Sequence, residues 1–226
     1  MTAVPTTWAL LSGLGAEQRE AALSVARRRT FARGEVVFHE GDPGDTIHFV
    51  EHGHLSVRVS TPYGDTATLR IVGPGEHFGE LALIALAPRS ATVTALEPTQ
   101  TLTLHRDQLQ RLRDDNPEID RAILEAMVHE VRRLSGALLE AMYVPIAERL
   151  PRRLLELARS YPPDATGRAV IPLTQDDLAG LCGTTRPTVN QLLARLADKD
   201  VLEVTRGRIV VIDLAGLTKA ARLTGS

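Results

Sequence analysis

The order of apolar and polar residues divides the chain into stretches with different periods. Between Thr30 and Leu104, short apolar runs alternate with turn sequences such as GDPGD (41–45) and GPGE (73–76). Glycine and proline at these points favour tight turns between strands. The pattern therefore predicts a compact antiparallel β-roll or barrel. Its predicted strands include Val36–His39, Ile47–Val50, Leu55–Val59, Ala67–Ile71 and Ala91–Leu96.

The period changes at Asn116-Pro117, where asparagine can cap a helix and proline can occupy its first position. The following stretch runs to Met142 without another proline. We therefore predict a helix of about 40 Å. Its apolar residues alternate spacings of three and four, as in a coiled-coil seam. This pattern favours pairing with a second copy over packing on its own β-domain. The predicted seam is Leu124, Met127, Val131, Leu134, Leu138 and Ala141.

Beyond Tyr143-Val144-Pro145 the sequence predicts a helix around Arg152–Ser160 and a short strand near Ala169–Pro172. Pro151 has no backbone N–H and must either lie in the first turn of that helix or kink it.

Residues 173–204, LTQDDLAGLCGTTRPTVNQLLARLADKDVLEV, have the most specific spacing in the chain. Thr174 can cap a first helix, and Gly183 can end it in a tight turn. A second helix then starts at Thr184 or Thr185. This arrangement predicts a helix-turn-helix, whose second helix enters the major groove of DNA. An ordinary helical hairpin with solvated polar residues is the alternative.

The stretch Leu202–Ile212 follows and predicts a β-hairpin with its turn at Arg206-Gly207-Arg208, so that the unit becomes a winged helix. Arginine at the hairpin tip suits phosphate contact, and Arg186 suits bidentate contact with a guanine.

Charge and cysteine content fit this interpretation. Residues 1–143 carry a net charge of −5 and residues 144–226 a net charge of +3, so the predicted DNA-binding part is the basic one. The single cysteine, Cys182, excludes an intrachain disulfide and a cysteine-bound iron–sulfur cluster. We read Cys182 as a small buried residue before the turn. A reducing cytoplasm is the expected location, since no secretory or membrane-spanning stretch is found.

The segment FGELALIALAPRSATV (78–93) is the second specific signal. Gly79 permits close backbone approach, and Glu80 can accept hydrogen bonds from vicinal ribose hydroxyls. Arg89 offers a guanidinium fork and Ser90 a hydroxyl to a phosphate. In the alternative, Glu80 and Arg89 pair with each other and the segment binds nothing.

With these motifs in this order, the chain resembles the family of the cyclic-AMP receptor protein and the fumarate–nitrate regulator (CRP/FNR). The resemblance covers nearly the whole chain, and residues 78–93 resemble the phosphate-binding cassette of cyclic-nucleotide-binding domains. It implies an α+β chain with an antiparallel β-roll of the cyclic-nucleotide-binding type (1–113), a long dimerisation helix (114–143) and a C-terminal winged helix-turn-helix (144–226).

The resemblance implies that Glu80 binds the ribose and that Arg89 and Ser90 bind the cyclic phosphate of cyclic AMP (cAMP), the expected effector. The receptor protein reads the base with Thr and Ser on the dimer helix, where this chain has Leu134 and Ser135. Ser135 fits, whereas Leu134 neither donates nor accepts. The expected ligand-binding residues are Gly79, Glu80, Leu81, Arg89, Ser90, Ala91, Leu134 and Ser135.

By the same resemblance Arg186 and Gln191 read bases in double-stranded DNA. Pro187 and Gln191 replace the Glu and Arg of the receptor protein, so its operator preference does not carry over intact. The expected partners are a pseudo-palindromic operator, a second copy of the chain and, for an activator, RNA polymerase. The expected DNA-binding residues are Thr174, Gln175, Thr184, Thr185, Arg186, Pro187, Thr188, Asn190, Gln191, Arg206 and Arg208.

Two rival functions fit the sequence less well. His48, His52 and His54 raise the possibility of a cupin-like metal enzyme, but Val57 and Arg58 stand where a cupin would need its glutamate. We therefore predict no metal and no enzyme activity, and place the histidines in a solvated turn near Gly53. A cyclic-nucleotide regulatory subunit would have no use for residues 173–212.

Overall fold

The computed structural model describes residues 8–11, 14–60, 66–161 and 163–222. They form two compact units. The first comprises the described residues up to 60 together with residues 69–134, and the second comprises residues 66–68 and 135–222.

The first unit is built on eight described strands: β1 (Arg27–Phe31), β2 (Val36–Phe38), β3 (Thr46–His52), β4 (Leu55–Ser60), β5 (Thr66–Val72), β6 (His77–Phe78), β7 (Thr92–Ala95) and β8 (Thr99–His105). They form two four-stranded sheets, ordered β1-β8-β3-β6 and β2-β7-β4-β5. The antiparallel β-roll predicted from the turn pattern is confirmed, with three strands that the pattern missed: β1, β6 and β8.

Helices close the β-roll. The main core lies where Trp8 packs edge-on against Phe49 and donates its indole N–H to the Val50 carbonyl at 3.1 Å. Ile119 and Ile123 from the long helix are buried in the same core. The helices of this part are a short 3-10 turn (Ala9–Leu11), α1 (Ala16–Ser24), α2 (Glu80–Ile84), α3 (Arg106–Asp115) and the long α4 (Pro117–Tyr143), which continues into the second unit.

Helix α4 carries an apolar face that the described part of the chain leaves exposed. Leu124, Val131 and Leu138 are 66%, 63% and 61% exposed, and Val128, Leu139 and Met142 are exposed beside them. Met127 differs, because it packs against the main core of the β-roll. Its place in the predicted seam was therefore wrong: at this turn the helix points Met127 toward its own domain.

The second unit has the predicted winged helix-turn-helix, in which the sheet order is β10-β11-β9. Pro151 lies inside α5 beyond its first turn and is buried. The elements are α5 (Ile146–Ser160), β9 (Ala169–Ile171), α6 (Gln175–Cys182), α7 (Arg186–Ala197), β10 (Leu202–Thr205), β11 (Arg208–Val211) and α8 (Leu214–Arg222).

Candidate functional site

The turn into α2 is shaped around Arg89. Gly79 precedes this helix with a φ of +88°, in the left-handed region that glycine adopts without strain. A Cβ at this position would lie 2.6 Å from Arg89 Nη1 and 3.0 Å from the Thr46 carbonyl oxygen. Gly79 therefore permits a close approach of the Arg89 guanidinium to the backbone, whereas its contact with a ligand stays a prediction.

Arg89 is held in place by Thr46, Gly79 and Phe38. It is 4% exposed, and its Nη1 donates to the carbonyls of Thr46 at 2.8 Å and Gly79 at 2.9 Å. Its Nη2 donates to Thr46 Oγ1 at 2.9 Å, and the guanidinium lies 4.0 Å from the centre of the Phe38 ring. Among the described residues, Arg89 Nε is buried without a hydrogen-bond partner.

The electrostatic surroundings of Arg89 act in two directions. Burial lowers the pKa of its guanidinium, while the nearby carboxylates of Asp45, Glu80 and Asp42 raise it. Arginine remains protonated in proteins, so the site presents a buried cation with donors left over.

Glu80, the first residue of α2, is the complementary group. It is 8% exposed, and its Oε2 atom is buried with no donor in reach within the part of the chain that the structure describes. A buried carboxylate oxygen without a partner is costly. The alternative in which Glu80 simply pairs with Arg89 is not what the structure has, because the hydrogen bonds of Arg89 go to Thr46 and Gly79.

Glu80 also lines a cavity of ≈ 400 Å³ in the first unit, between the β5–β6 region and α4. The remaining polar lining comes from Arg70, Glu76, His77, Glu125, His129 and Glu130. No sequence motif marks these six residues, because the strands and the helix that carry them come together only in the fold.

A cluster of charged side chains beside this cavity connects α4 to β5. Arg133 donates to Glu130 through Nη2 at 2.7 Å and Nε at 2.8 Å, and Arg70 Nη1 lies 4.0 Å from the same carboxylate. The hydrogen bond from Arg133 lowers the pKa of Glu130 most, although burial opposes it. Glu130 and Arg133 are three residues apart on one helix, a pairing that the sequence could have indicated.

The other expected ligand residues are less closely grouped. Ser90 and Leu81 are exposed and Ala91 is buried, all within the segment that carries Glu80 and Arg89. Leu134 and Ser135 are exposed on α4. Neither is among the described residues that line the cavity, which α4 contacts between Ala122 and Glu130.

The predicted solvated position of the histidines was wrong for two of the three. His48 and His54 are buried, and only His52 is partly exposed. His48 stacks on Phe78 with ring centres 4.7 Å apart, and His54 Nδ1 lies 2.6 Å from Glu97 Oε1. Both side chains are buried beside a polar or aromatic partner rather than solvated.

In the second unit, two caps and one turn build the helix pair. Thr174 caps α6, where its hydroxyl accepts from the Asp177 N–H while the Asp177 carboxylate accepts from Thr174. Gly183 follows with a φ of +59° and ends the helix. Thr185 then caps α7, as one of the two predicted starts.

The outward face of α7 is polar and open, since Arg186, Pro187, Asn190 and Gln191 are exposed. Arg186 Nη1 lies 3.3 Å from Asp176 Oδ2, an exposed ion pair across the turn. The inward face buries Val189, Leu193 and Leu196. Thr188 and Thr184 are partly exposed, and Thr185 and Thr188 share a hydroxyl hydrogen bond of 2.9 Å.

The wing is the β10–β11 hairpin. Arg206 and Arg208 are exposed at and beside its turn, and Arg208 Nε donates to Thr205 Oγ1 at 3.1 Å. Gln175 opens α6 next to Thr174 and is partly exposed.

Cys182 is buried, as predicted, and burial raises the pKa of its thiol to about 11. Such a thiol is a poor nucleophile at neutral pH. Over the described ranges, no group of three or more histidine, cysteine and acidic side chains is arranged to hold a metal. Within the same ranges, no helix combines the length and apolar character that crossing a membrane requires.

A β-roll with a buried arginine and carboxylate around one glycine turn, followed by a winged helix-turn-helix, defines a class of cyclic-nucleotide-domain transcription regulator. Comparison with known proteins agrees. A cyclic nucleotide-binding domain model matches residues 28–116, and a Crp-like helix-turn-helix domain model matches residues 148–220.

Relatives align over almost the whole length. The chain is 30% identical to a CRP-like cAMP-activated global transcriptional regulator of Mycobacterium tuberculosis, over 85% of this chain and 87% of the relative. It is 30% identical to a cyclic AMP receptor protein of Thermus thermophilus, over 94% of this chain and 96% of that relative. A solved CRP/FNR-family regulator from Thermus thermophilus matches with a TM-score of 0.73 and 25% identity, over 88% of this chain and 100% of that one. The chain belongs to the CRP family of transcription regulators.

Proposed function

We propose that the protein is a homodimeric transcription regulator whose binding to a pseudo-palindromic operator is gated by cAMP in the β-roll. The observation that carries the proposal is a pair of buried polar atoms with no protein partner among the described residues. Arg89 Nε is a donor and Glu80 Oε2 is an acceptor, and both lie around the Gly79 turn. A ligand with an anionic group and neighbouring hydroxyls would satisfy both.

The cyclic phosphate pairs with Arg89. Three of the five guanidinium N–H groups already hold the residue against Thr46 and Gly79. The remaining N–H groups, at Nε and Nη2, can bind two phosphate oxygens as a fork. The hydroxyl of Ser90, next in sequence and exposed, adds a further donor.

The ribose pairs with Glu80. Its buried carboxylate can accept hydrogen bonds from sugar hydroxyls, and charge-assisted bonds of this kind are among the stronger ones in proteins. Gly79, Leu81 and Ala91 complete the binding loop. The choice of cAMP rests on the names of the two relatives, which describe a cAMP-activated regulator and a cyclic AMP receptor protein.

The dimer forms through the exposed apolar face of α4. Leu124, Val128, Val131, Leu138 and Met142 lie along this face, mostly at spacings of three or four. Such a stripe on a long helix is typical of a two-helix seam, and a solvent-exposed stripe of this length marks an interaction surface.

Each protomer contributes one α7 to DNA. In a two-fold dimer the two recognition helices bind half-sites about 34 Å apart, one helical turn of DNA. Arg186 and Gln191 read bases, while Thr174, Gln175, Thr184, Thr185 and Thr188 lie near phosphates. Pro187 and Asn190 contact the groove, Arg206 and Arg208 bind the backbone, and an activator would also contact RNA polymerase.

Gating uses α4. This helix carries Glu125 and Glu130 of the sensor cavity, and from Ser135 onward it belongs to the same unit as the DNA-binding elements. A ligand changes the DNA affinity only if it contacts two packings of this helix differently. Leu134 and Ser135, on the same helix, occupy the expected base-reading positions, where only Ser135 has a hydroxyl that can donate or accept a hydrogen bond.

Calorimetric titration of the full-length protein with cAMP, cyclic GMP and adenosine tests the sensor. We expect cAMP to bind, and Arg89→Lys and Glu80→Gln each to weaken it at least tenfold, about 1.4 kcal/mol. Arg111→Lys, an exposed arginine on α3, is the matched control. Wild-type protein that binds none of the three would contradict cyclic-nucleotide sensing.

Selection of operators from random DNA, with and without saturating cAMP, tests the gating. A shared pseudo-palindrome bound more tightly with cAMP is expected. Equal affinity in both conditions would identify a constitutive DNA binder. Sedimentation of Leu138→Glu tests the dimer, with Val25→Glu, an exposed apolar residue outside α4, as the control that should remain dimeric.

A further inference from the structure

A chain of hydrogen bonds connects the interior of the sheet to Arg89. Thr101 on β8 and Thr46 at the start of β3 flank His48. His48 Nδ1 lies 3.2 Å from Thr101 Oγ1, and its Nε2 lies 3.5 Å from Thr46 Oγ1. The same Thr46 oxygen accepts a hydrogen bond of 2.9 Å from Arg89 Nη2.

His48 is also embedded in the aromatic cluster beneath Arg89. It is 1% exposed, stacks on Phe78 and has its ring centre 6.0 Å from that of Phe38. Phe38 in turn contacts the proposed site, because its ring lies 4.0 Å from the Arg89 guanidinium. The imidazole therefore supports two of the groups that hold Arg89 in place.

The surroundings set the charge of the ring and allow a specific tautomer. Burial, assisted by the positive charges of Arg89 and Arg29, lowers the pKa of His48 to about 3, so the imidazole is neutral at neutral pH. The Thr46 hydroxyl, which accepts from Arg89, can also donate its own hydrogen to a bare Nε2. In that arrangement the ring proton sits on Nδ1 and is donated to Thr101.

Resting on the proposed function, we infer that His48 is a positioning residue for phosphate binding, which acts through Thr46 to orient the Arg89 fork. A Thr46 hydroxyl turned toward His48 presents a lone pair to Arg89 Nη2. The guanidinium is thereby kept with its Nε edge free before the ligand arrives. Preorganised donors bind more tightly because less ordering is left for the binding step.

A double-mutant cycle with cAMP as the titrant tests the relay. His48→Phe keeps a ring in the aromatic cluster but removes both nitrogens, and Thr46→Val removes the hydroxyl. Each should weaken cAMP binding about tenfold, the effect of one lost hydrogen bond. Since both substitutions break the same series of hydrogen bonds, the double variant should bind cAMP with the affinity of Thr46→Val alone.

Conservative variants separate positioning from packing. His48→Gln, which can offer an amide oxygen to Thr46, and Thr46→Ser, which keeps the hydroxyl, should both restore binding to within about threefold of wild type. Urea unfolding of each variant shows whether loss of affinity follows loss of stability. Thr46 is only partly buried, so the Thr46→Val and Thr46→Ser pair remains informative if His48→Phe does not fold.

Nitrogen-15 NMR of the unmutated, ligand-free protein reads the tautomer directly. A neutral ring protonated at Nδ1 supports the relay, whereas a ring protonated at Nε2 overturns it. Full cAMP affinity in folded His48→Phe, or additive losses in the double variant, would also overturn it. A wild-type protein that does not bind cAMP overturns the proposed effector and this inference together, whereas binding that ignores His48 overturns the inference alone.

Discussion

Arg153 Nη2 donates to Glu140 Oε2 at 2.7 Å, so an ion pair joins the last turns of α4 to α5, on the far side of the break at Val144-Pro145. Both side chains are partly buried, and Arg152 Nη1 lies 3.4 Å from the other Glu140 oxygen. The Glu140 carboxylate therefore joins α4 to α5 across the helix break through two arginines, and we call this contact the joint.

We expect Glu140→Gln to weaken that joint. If α4 transmits the ligand signal, the factor by which cAMP raises operator affinity should fall by an amount on the order of 0.5–2 kcal/mol. Glu156→Gln is the matched control, because Glu156 is the other partner of Arg153 but lies within α5 and is more exposed. Anisotropy titrations with operator DNA measure both, and equal coupling in the two variants would contradict the role of the joint.

Gly79→Ala should abolish cAMP binding and destabilise the sensor. The new Cβ would lie 2.6 Å from Arg89 Nη1 and the backbone would be held at a φ of +88°. Gly34→Ala is a control for the backbone strain alone, since Gly34 has a φ of +81° with nothing within 4 Å of its added Cβ. Gly34→Ala should cost about 1 kcal/mol of unfolding free energy and retain binding. Similar cAMP affinity in the two variants would show that the close approach is unimportant.

Glu80→Gln should lose ligand affinity and gain stability. An amide costs less to bury than a carboxylate whose Oε2 atom has no donor among the described residues. The ligand-free variant should be more stable by about 1 kcal/mol, a rise in Tm of roughly 2–4 °C for a domain of this size class. Glu20→Gln, at an exposed carboxylate of α1 outside the cavity, should change neither. A ligand-free Glu80→Gln protein that melts below wild type would refute the idea that Glu80 is kept for binding.

Stability should depend on pH through His48. Its pKa is about 3 in the folded protein against 6.5 for the unperturbed ring, so the unfolded chain binds the extra proton between these values. The contribution is complete above pH 6.5 and is lost as the pH falls, at about 1.4 kcal/mol per unit. Roughly 2 kcal/mol should therefore disappear between about pH 6.5 and 5.

His48→Phe should remove that part of the slope, as urea unfolding at a series of pH values would show. Burial also lowers the pKa of His77, so the wild-type curve contains a second contribution, which both proteins share. If the free energy of unfolding changes with pH in the same way for wild type and His48→Phe, the pKa of His48 is not lowered by burial as proposed.

Arg186→Ala should cost about 1–3 kcal/mol per half-site and relax one base position, whereas Arg206→Ala should weaken all DNA sequences alike. In the free protein Arg186 is paired with Asp176, which must release it for DNA. Asp176→Asn should therefore tighten operator binding slightly, by a few tenths of a kcal/mol for an exposed pair. A binding-site selection with Arg186→Ala that returns the wild-type motif unchanged would remove Arg186 from the base-reading set.

Local chemistry explains which parts of the fold could be predicted from the sequence. The helix-turn-helix depends on Thr174, Gly183 and Thr185, whose capping and turn preferences act over three or four residues. Strand β1 was missed because four of its five residues are exposed, RRRT. It is an edge strand that pairs with β8, and its register comes from that partner rather than from its own apolar pattern.

The candidate site also has one part that could be predicted from the sequence and another that depends on the fold. The segment containing Gly79, Glu80 and Arg89 is contiguous, so its chemistry could be recognised without the fold. The burial of His48 could not, because its partner Thr101 is 53 residues away in sequence. Met127 shows the opposite limit: its spacing fits the seam of α4, but the packing of that helix on the β-roll turns it inward.

If the proposed dimer forms through the open apolar face of α4, the concentration of the protein also controls operator binding. One protomer has a single α7 and, in the proposed complex, contacts one half-site of the operator. When the protomer concentration lies well below the Kd of the dimer, the dimer concentration grows with the square of the protomer concentration. Halving expression then removes about three quarters of the dimers by mass action. Gene dosage, dilution at cell division and proteolysis would then alter operator occupancy alongside the effector.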